Sequence, residues 1–497
     1  MLCGDIRPLL SPDAHARLPL DNAIIEMVKL LSTLSHASAW KLVIGWVILL
    51  SILYSTLSVV RHNHFQSGGF DLGIYDQAVW QYATFQWPYN TVKERFILGD
   101  HFTLTLTLAA PLFWIWNDVR ALLIFQAIFV SISIIAVYKL VLLRKFSPFT
   151  SFGISFIYSL FYGIQYGLFF DFHPVLLATG IIPWMLFFLE SNKTKLFILS
   201  LTLLLLTQEN MGLSLAFLGF IYIWQAKYRR VAVAFIIGGI VASLIAVKGI
   251  AFFSPVGFQY APHLTLNPIL FMKELFNAPE KQQVWLYTMS AFTFLPLLSP
   301  GAMIAIVLEL AQYFTTGPDF ARMWSPYMHH RAILAPLVLL GTLDALAFLQ
   351  KKKINITLVT MVLLISTLAQ QFLFHYPLNK LSKSEFWHTD SWIIDNEKMI
   401  ATIPADIPIA TQQSLIPHLS HRKQIYLAWP RVHEPGWWLD TPKEAKYLLI
   451  DTHPNEWVTM LLESPDHVNE ALANMEKLGK ITLLQKINDI RLYKINN

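Results

Sequence analysis

Residues 61–102 read RHNHFQSGGFDLGIYDQAVWQYATFQWPYNTVKERFILGDHF. This polar, aromatic-rich stretch follows the first strongly apolar run of the chain. It carries Asp71, Asp76, Asp100 and His101 beside lipid-seeking sequence. An ionisable group near membrane depth is costly and is a functional candidate by default. The stretch therefore reads as one wall of an active site at the outer face of a membrane.

The composition places that wall in a membrane. Of 497 residues, 55% are hydrophobic and 14% are charged, where a soluble domain carries roughly 25% charged residues. The deficit sits in apolar runs of about 15–24 residues, which span or nearly span a bilayer. The net charge of +5 lies largely between these runs and speaks to topology rather than to nucleic acid. Cys3 is the single cysteine and excludes an internal disulfide. The run from Leu42 continues for about 19 residues without a small-residue cleavage pattern and reads as an anchor.

Working outward, eleven spans are expected: about 42–60, 119–143, 148–168, 175–190, two short helices within 196–226, then about 231–250, 284–298, 301–316, 332–350 and 354–376. The pair within 196–226 meets at Gln208-Glu209-Asn210. With the amino terminus inside, Arg144/Lys145, Lys193/Lys195, Lys227/Arg229/Arg230 and Lys351–Lys353 all fall inside, ten basic residues in four short loops. That is the asymmetry the positive-inside rule describes. The segment 102–117 is apolar but only 16 residues long, with Pro111, Trp114 and Trp116. It reads as an interfacial or re-entrant helix with its tryptophans at the headgroups.

Three regions result. Residues 1–41 form a cytoplasmic segment in which Asp21–Leu34 is amphipathic, either a surface helix or an unstructured tail. Residues 42–376 form an all-α transmembrane domain whose first outer loop is 61–118. Residues 377–497 form a small extracytoplasmic α/β domain that folds separately. Its strand-like runs are 407–411, 425–429, 447–451, 481–485 and 490–495, with helices at about 391–402 and 465–478 and a hairpin turn at Asn488-Asp489.

The polar groups hardest to explain share the outer side: Asp71, Asp76, Asp100-His101, Asp171, His173, Glu209 and His329-His330-Arg331. Asp71 follows Gly68-Gly69, which free the backbone. It reads either as a helix cap or as a general base. Asp76 reads as structural support or substrate contact. Asp100-His101 and Asp171–Pro174 read as helix-start and turn residues, or as site residues. Glu209 interrupts an apolar run, where a carboxylate calls for function or for a buried partner. Arg331 suits snorkelling or anion binding, with His330 beside it. A divalent cation could be held by Asp71, Asp100, His101, His173 and Glu209, although none shows metal-site spacing within one element.

Several of these stretches resemble a known family. They are F-D-L-G-I-Y-D-Q-A-V-W (70–80), G-D-H-F (99–102) with Pro111-Leu112-Phe113 after it, F-H-P (172–174), Q-E-N (208–210) and H-H-R-A (329–332). In the tail they are I-P-A-D-I-P-I-A-T (403–411), P-H-L-S-H-R (417–422) and Y-L-L-I-D (447–451). Over about 60–495 the chain resembles the predicted prokaryotic multi-pass membrane proteins filed as the domain of unknown function numbered two thousand and seventy-nine. Its layout also resembles the GT-C membrane glycosyltransferases, including the protein mannosyltransferases and the aminoarabinose lipid A transferase. That resemblance implies a polyprenyl-phosphate sugar as donor, and a lipid, glycan or protein acceptor. It puts Asp71 in the place of the catalytic first-loop Asp, with Asp100 and Glu209 as further catalytic candidates. Asp76, His101, His173, His330 and Arg331 become substrate-binding candidates. Those enzymes commonly carry Asp-Glu in the loop, whereas Leu72 follows Asp71 here. The second carboxylate is then absent or supplied by Asp76 or Asp100. Arg331, His330 or Lys93 would neutralise the departing phosphate.

Two other classes remain in play. A transporter or lipid flippase would put its polar groups at the bilayer midplane on broken helices, which only Glu209 matches. A sensor or scaffold would act through the tail.

Overall fold

The computed structural model describes residues 26–31, 33–260, 265, 267–454 and 463–496. Of the amphipathic stretch Asp21–Leu34, residues 26–31 are helical, and 21–25 and 32 lie outside the described residues.

Helix length decides what crosses a membrane. Among the described residues five helices are long and apolar enough: His36–Asn63, Arg120–Leu143, Ala226–Phe253, His329–Lys351 and Ile356–Leu373. A further pair, Pro148–Ser159 and Tyr162–Phe170, is long and apolar enough only when taken together and is bent by 43° at its break. The expected single helix over 148–168 is thus broken. The carbonyl of Leu160 that the break frees accepts the Gln165 side-chain amide at 2.7 Å, as backbone freed at membrane depth requires. Gly163 lies just past the break, where a Cβ would come within 2.4 Å of the Arg331 carbonyl oxygen. Only glycine allows that approach.

The other expected spans are shorter. Pro174–Glu190 has 17 residues, Thr194–Leu205 and Met211–Tyr222 have 12 each, and Pro300–Phe314 has 15. A 12-residue helix is about 18 Å long, well under the ~30 Å of a hydrocarbon core. The span expected at 284–298 is a helix over Pro279–Ser290 followed by a 3-10 turn at Leu295–Leu298. Eleven full-length spans therefore reduce to five, one bent pair and several partial ones. The segment after His101 is short, as its length requires: a 3-10 turn over Leu104–Ala109 and a helix over Leu112–Ile115.

One apolar core runs through the bundle. Arg120–Leu143 packs between His36–Asn63 and Pro174–Glu190, while Ile52, Ile237 and Leu244 face outward as for lipid. At the end of the helices remote from Asp71, Arg144 Nη2 meets Glu190 Oε1 at 2.6 Å and Nη1 lies 3.5 Å from Asp344 Oδ1. Tyr222 donates to the same Glu190 oxygen at 2.6 Å. One ion-pair knot thus ties together four helices.

The tail is a mixed five-stranded sheet. With β1 (Tyr89–Asn90) and β2 (Arg95–Phe96) in the loop 61–118, the tail supplies β3 (Ile409–Thr411), β4 (Ile425–Leu427), β5 (Trp429–His433), β6 (Gly436–Asp440), β7 (Tyr447–Asp451), β8 (Ile481–Ile487) and β9 (Ile490–Ile495). The sheet order is β4-β3-β7-β9-β8, with β3 parallel to both β4 and β7 and the remaining pairs antiparallel. Strand alternation sorts its two faces. Ala410, Leu448, Ile450 and Tyr493 pack with Val468 and Leu472 of the helix Pro465–Lys477. Ile409, Leu449, Ile490 and Leu492 share a core with Leu72, Ile74 and Ile97 of the loop 61–118. Loop and tail are therefore packed on one another.

Candidate active site

The glycines before Asp71 serve packing rather than freedom. Residues Gly69–Gly73 form a single π-helical turn. A Cβ on Gly69 or on Gly73 would come within 2.6 Å of the Ile416 side chain from the tail. The helix after the turn starts at Ile74, and its N-terminal end has no side-chain cap. Asp71 is therefore no helix cap. Its Oδ1 lies 3.0 Å from His173 Nε2, and its side chain is 32% exposed. Burial pushes the Asp71 carboxyl up. The hydrogen bond and charge of His173, with charge from His329 and Lys93, outweigh this and hold it at about 2.

His173 is itself fixed. Gln126 clamps its turn, accepting the His173 N–H at 2.7 Å and donating to the Asp171 carbonyl at 3.0 Å. Asp171 is spoken for by the fold. It pairs with Arg61 at 2.8 Å and accepts the Gly68 N–H at 2.9 Å. The His173 ring stacks on His329 at 3.5 Å and 14°. Three segments thus meet at Asp71.

A second group of charges lies beside the first. Asp100 Oδ1 accepts from the Tyr260 hydroxyl at 3.1 Å and lies 3.7 Å from Lys93 Nζ and 4.0 Å from Arg95 Nη1. Among the described residues its buried Oδ2 has no hydrogen-bond partner. Burial pushes this carboxyl up, but His101, Lys93, Tyr260 and Arg95 bring it below its ordinary value. Lys93 Nζ sits 5.0 Å over the Phe70 ring, so it spans the space between Asp71's neighbour and Asp100. Tyr75 lies among these carboxylates. Its hydroxyl is held well above its ordinary value, first by burial and then by Asp100, Asp71 and Glu209.

Glu209 has the buried partner its position calls for. His101 Nδ1 lies 2.9 Å from Oε1, and the Phe102 N–H donates to Oε2 at 3.2 Å. Both oxygens hold the segment after His101 onto the break between Thr194–Leu205 and Met211–Tyr222. Asp76 is fully buried. It accepts from Ser420 and lies 3.1 Å from His421 Nε2, both from the tail. Arg331 is 1% exposed. Its guanidinium donates to the carbonyls of Ser325 and Met323 and lies over Tyr313 and Phe314. His330 is buried and stacks on Tyr313 at 3.7 Å. Arg331 pins the end of the 3-10 segment Pro318–Trp324, whereas Lys93 keeps a 22% exposed side chain beside Asp100. Among the described residues, no three His, Cys, Asp or Glu side chains come together in a way that could hold a metal ion.

The sequence reading missed Arg61, Gln126 and Tyr260. Arg61 carried a signal, a cation closing an apolar helix. Gln126 and Tyr260 carried none.

This architecture matches solved structures. The chain is similar to the crystal structure of ArnT from Cupriavidus metallidurans bound to undecaprenyl phosphate, with a TM-score of 0.50 and 10% identity over 90% of this chain and 98% of that one. The apo state of ArnT gives a TM-score of 0.48 at 10% identity over 93% and 98%. No curated protein sequence matches. The fold is thus similar to that of ArnT. The family model described as predicted membrane protein (DUF2079) matches residues 61–476, and the chain belongs to that family.

Proposed function

We propose that the chain is a membrane glycosyltransferase that moves a sugar from a polyprenyl-phosphate donor to an acceptor hydroxyl at the outer face of the cell membrane. The observation that carries this reading is the ArnT-like fold, in a chain that holds the partly exposed carboxylate of Asp71 among fixed charges. The structure of ArnT that it resembles is bound to undecaprenyl phosphate.

The chemistry follows from the donor. A sugar on a lipid phosphate already has an activated leaving group. The acceptor oxygen attacks the anomeric carbon. The bond from that carbon to the phosphate oxygen breaks, and its electron pair leaves with the lipid phosphate. The acceptor proton passes to Asp71, so the products are a glycoside and a polyprenyl phosphate. With its carboxyl held at about 2, Asp71 by itself is a weak base. An anionic donor beside it disfavours the charged carboxylate and raises its pKa toward the working range. Lys93 is the cation placed to meet the phosphate, oriented by Asp100 and Phe70. Arg331 is left to hold the helix entry.

The test is transfer of a labelled sugar in proteoliposomes, with donor binding measured alongside. Asp71→Asn keeps the size but cannot take the proton, so turnover should fall by roughly 10²–10⁴-fold while donor binding changes little. Near-normal transfer would sink the assignment and turn attention to Asp100 and Glu209.

A further inference from the structure

Beside the Asp71 site, the first outer loop and the tail enclose a cavity of about 200 Å³. Its walls include Thr91, Val92 and Glu94 from the loop and Tyr426, Trp429 and Asp440 from the tail. The antiparallel pair β5–β6 sets Trp429 directly opposite Asp440. Arg431 holds that carboxylate at 2.9 Å. The indole of Trp429 is 41% exposed and its ring lies 5.8 Å from Phe70. Phe70 is the residue before Asp71, and Lys93, over the Phe70 ring, lies between Val92 and Glu94 of the wall. The cavity and the proposed base therefore share a side.

We propose that this cavity is a carbohydrate subsite and that the acceptor is a glycan whose terminal sugar ring sits there. The inference rests on the glycosyltransferase reading above and adds the acceptor class to it. A sugar ring has apolar C–H faces and a rim of hydroxyls. The face of Trp429 suits the first, since an aromatic face is the negative end of its quadrupole. The carboxylates of Glu94 and Asp440 and the Tyr426 hydroxyl suit the second. Asp440 is paired with Arg431, but the exposed Glu94 carboxylate repels a phosphate, so the donor's anionic end belongs on the Lys93 side. A lipid tail would find acidic groups where it needs apolar ones. The volume is below the ~300 Å³ at which drug-sized sites begin, which fits one ring whose chain continues into solvent.

The experiment uses the full chain in nanodiscs, carrying Asp71→Asn so that no transfer occurs. Methyl glucoside and methyl N-acetylglucosaminide serve as probes, followed by saturation-transfer NMR and tryptophan fluorescence. Saturable binding is expected, weakened about tenfold by loss of one aromatic contact in Trp429→Ala and also weakened in Glu94→Gln, whose side chain is exposed. Binding that survives both variants unchanged, or no saturable binding of either sugar, overturns the proposal. A polyprenyl-phosphate glucose added to saturation separates the sources. Both ligands bound together supports the acceptor, and competition assigns the cavity to the donor's own sugar and overturns it. Failure of the transfer reading itself shows elsewhere, as no sugar transfer by the parent chain with saturable sugar binding intact.

Discussion

His173 presents Nε2 to Asp71 Oδ1 at 3.0 Å and lays the face of the same ring on His329 at 3.5 Å. One imidazole thus holds the proposed base and is itself held from a third segment. Burial alone would raise the Asp71 carboxyl, and His173 provides the largest opposing effect. Asp71 is depressed below its ordinary 3.8, so its charged form, and the stability it brings, persists above that value and is lost as pH falls toward about 2. In His173→Gln the opposing charge is gone and burial prevails. The acid limb of the kcat/KM profile for sugar transfer should then move to higher pH. An unmoved limb would show that His173 does not set the protonation of the base.

The His101–Glu209 pair has the opposite sign. Burial lowers the His101 imidazole, but the charge and hydrogen bond of Glu209 raise it above its ordinary 6.5. The pair's stabilisation is full below that value and fades as pH rises through the raised one. Glu209→Gln should lower the His101 titration midpoint seen by NMR. Removing one partner of a buried pair costs about 3–5 kcal/mol, so Tm should drop most at acidic pH and the gap to the parent should narrow as pH rises. A gap that does not depend on pH would count against the pairing.

Asp76 ties the tail to the first loop through Ser420 and His421. Asp76→Ala leaves partly exposed His421 without this carboxylate and Ser420 with only the Pro417 carbonyl, at about 1–3 kcal/mol for a lost buried hydrogen-bond partner. The expected result is a lower Tm and faster proteolysis between Pro377 and Ser391, with the helix bundle intact. Since Leu72 and Ile97 share a core with Ile409 and Leu449, transfer should fall as well. Unchanged proteolysis would mean the shared apolar core alone holds the tail.

The proposed chemistry requires Asp71 and the tail on one side of the membrane, the outer one. Ile356–Leu373 separates the basic run Lys351–Lys353 from the tail. Reporter fusions after Lys353 and after Tyr376 should therefore report opposite sides, with the tail outside. A cytoplasmic tail would remove the outer-face reading.

The membrane class, the long spans and most tail strands were legible because hydropathy and alternation are local properties of a chain. The same holds for the shortness of the segment after His101 and for the anomaly of Glu209, a carboxylate that needed a partner. The hairpin β5–β6 was not legible. Its sequence, WPRVHEPGWWLD, carries Pro430 and Pro435-Gly436, and proline argues against a strand.

What only the tertiary structure decided is which loops meet. Asp71 and His173 are 102 residues apart in the chain, and Asp76 and His421 are 345 apart. No periodicity records such a distance. It follows from helices packing by shape, so that glycines at 69 and 73 admit Ile416 and a bend before Gly163 admits the backbone of Arg331. The sequence by itself determined that the chain enters a membrane and carries costly polar groups between its apolar runs. Packing decided that Asp71 stays partly exposed while Asp76, Glu209 and Arg331 are taken up by partners. A buried charge must be paired or hydrogen-bonded, and the fold supplies those partners from distant segments.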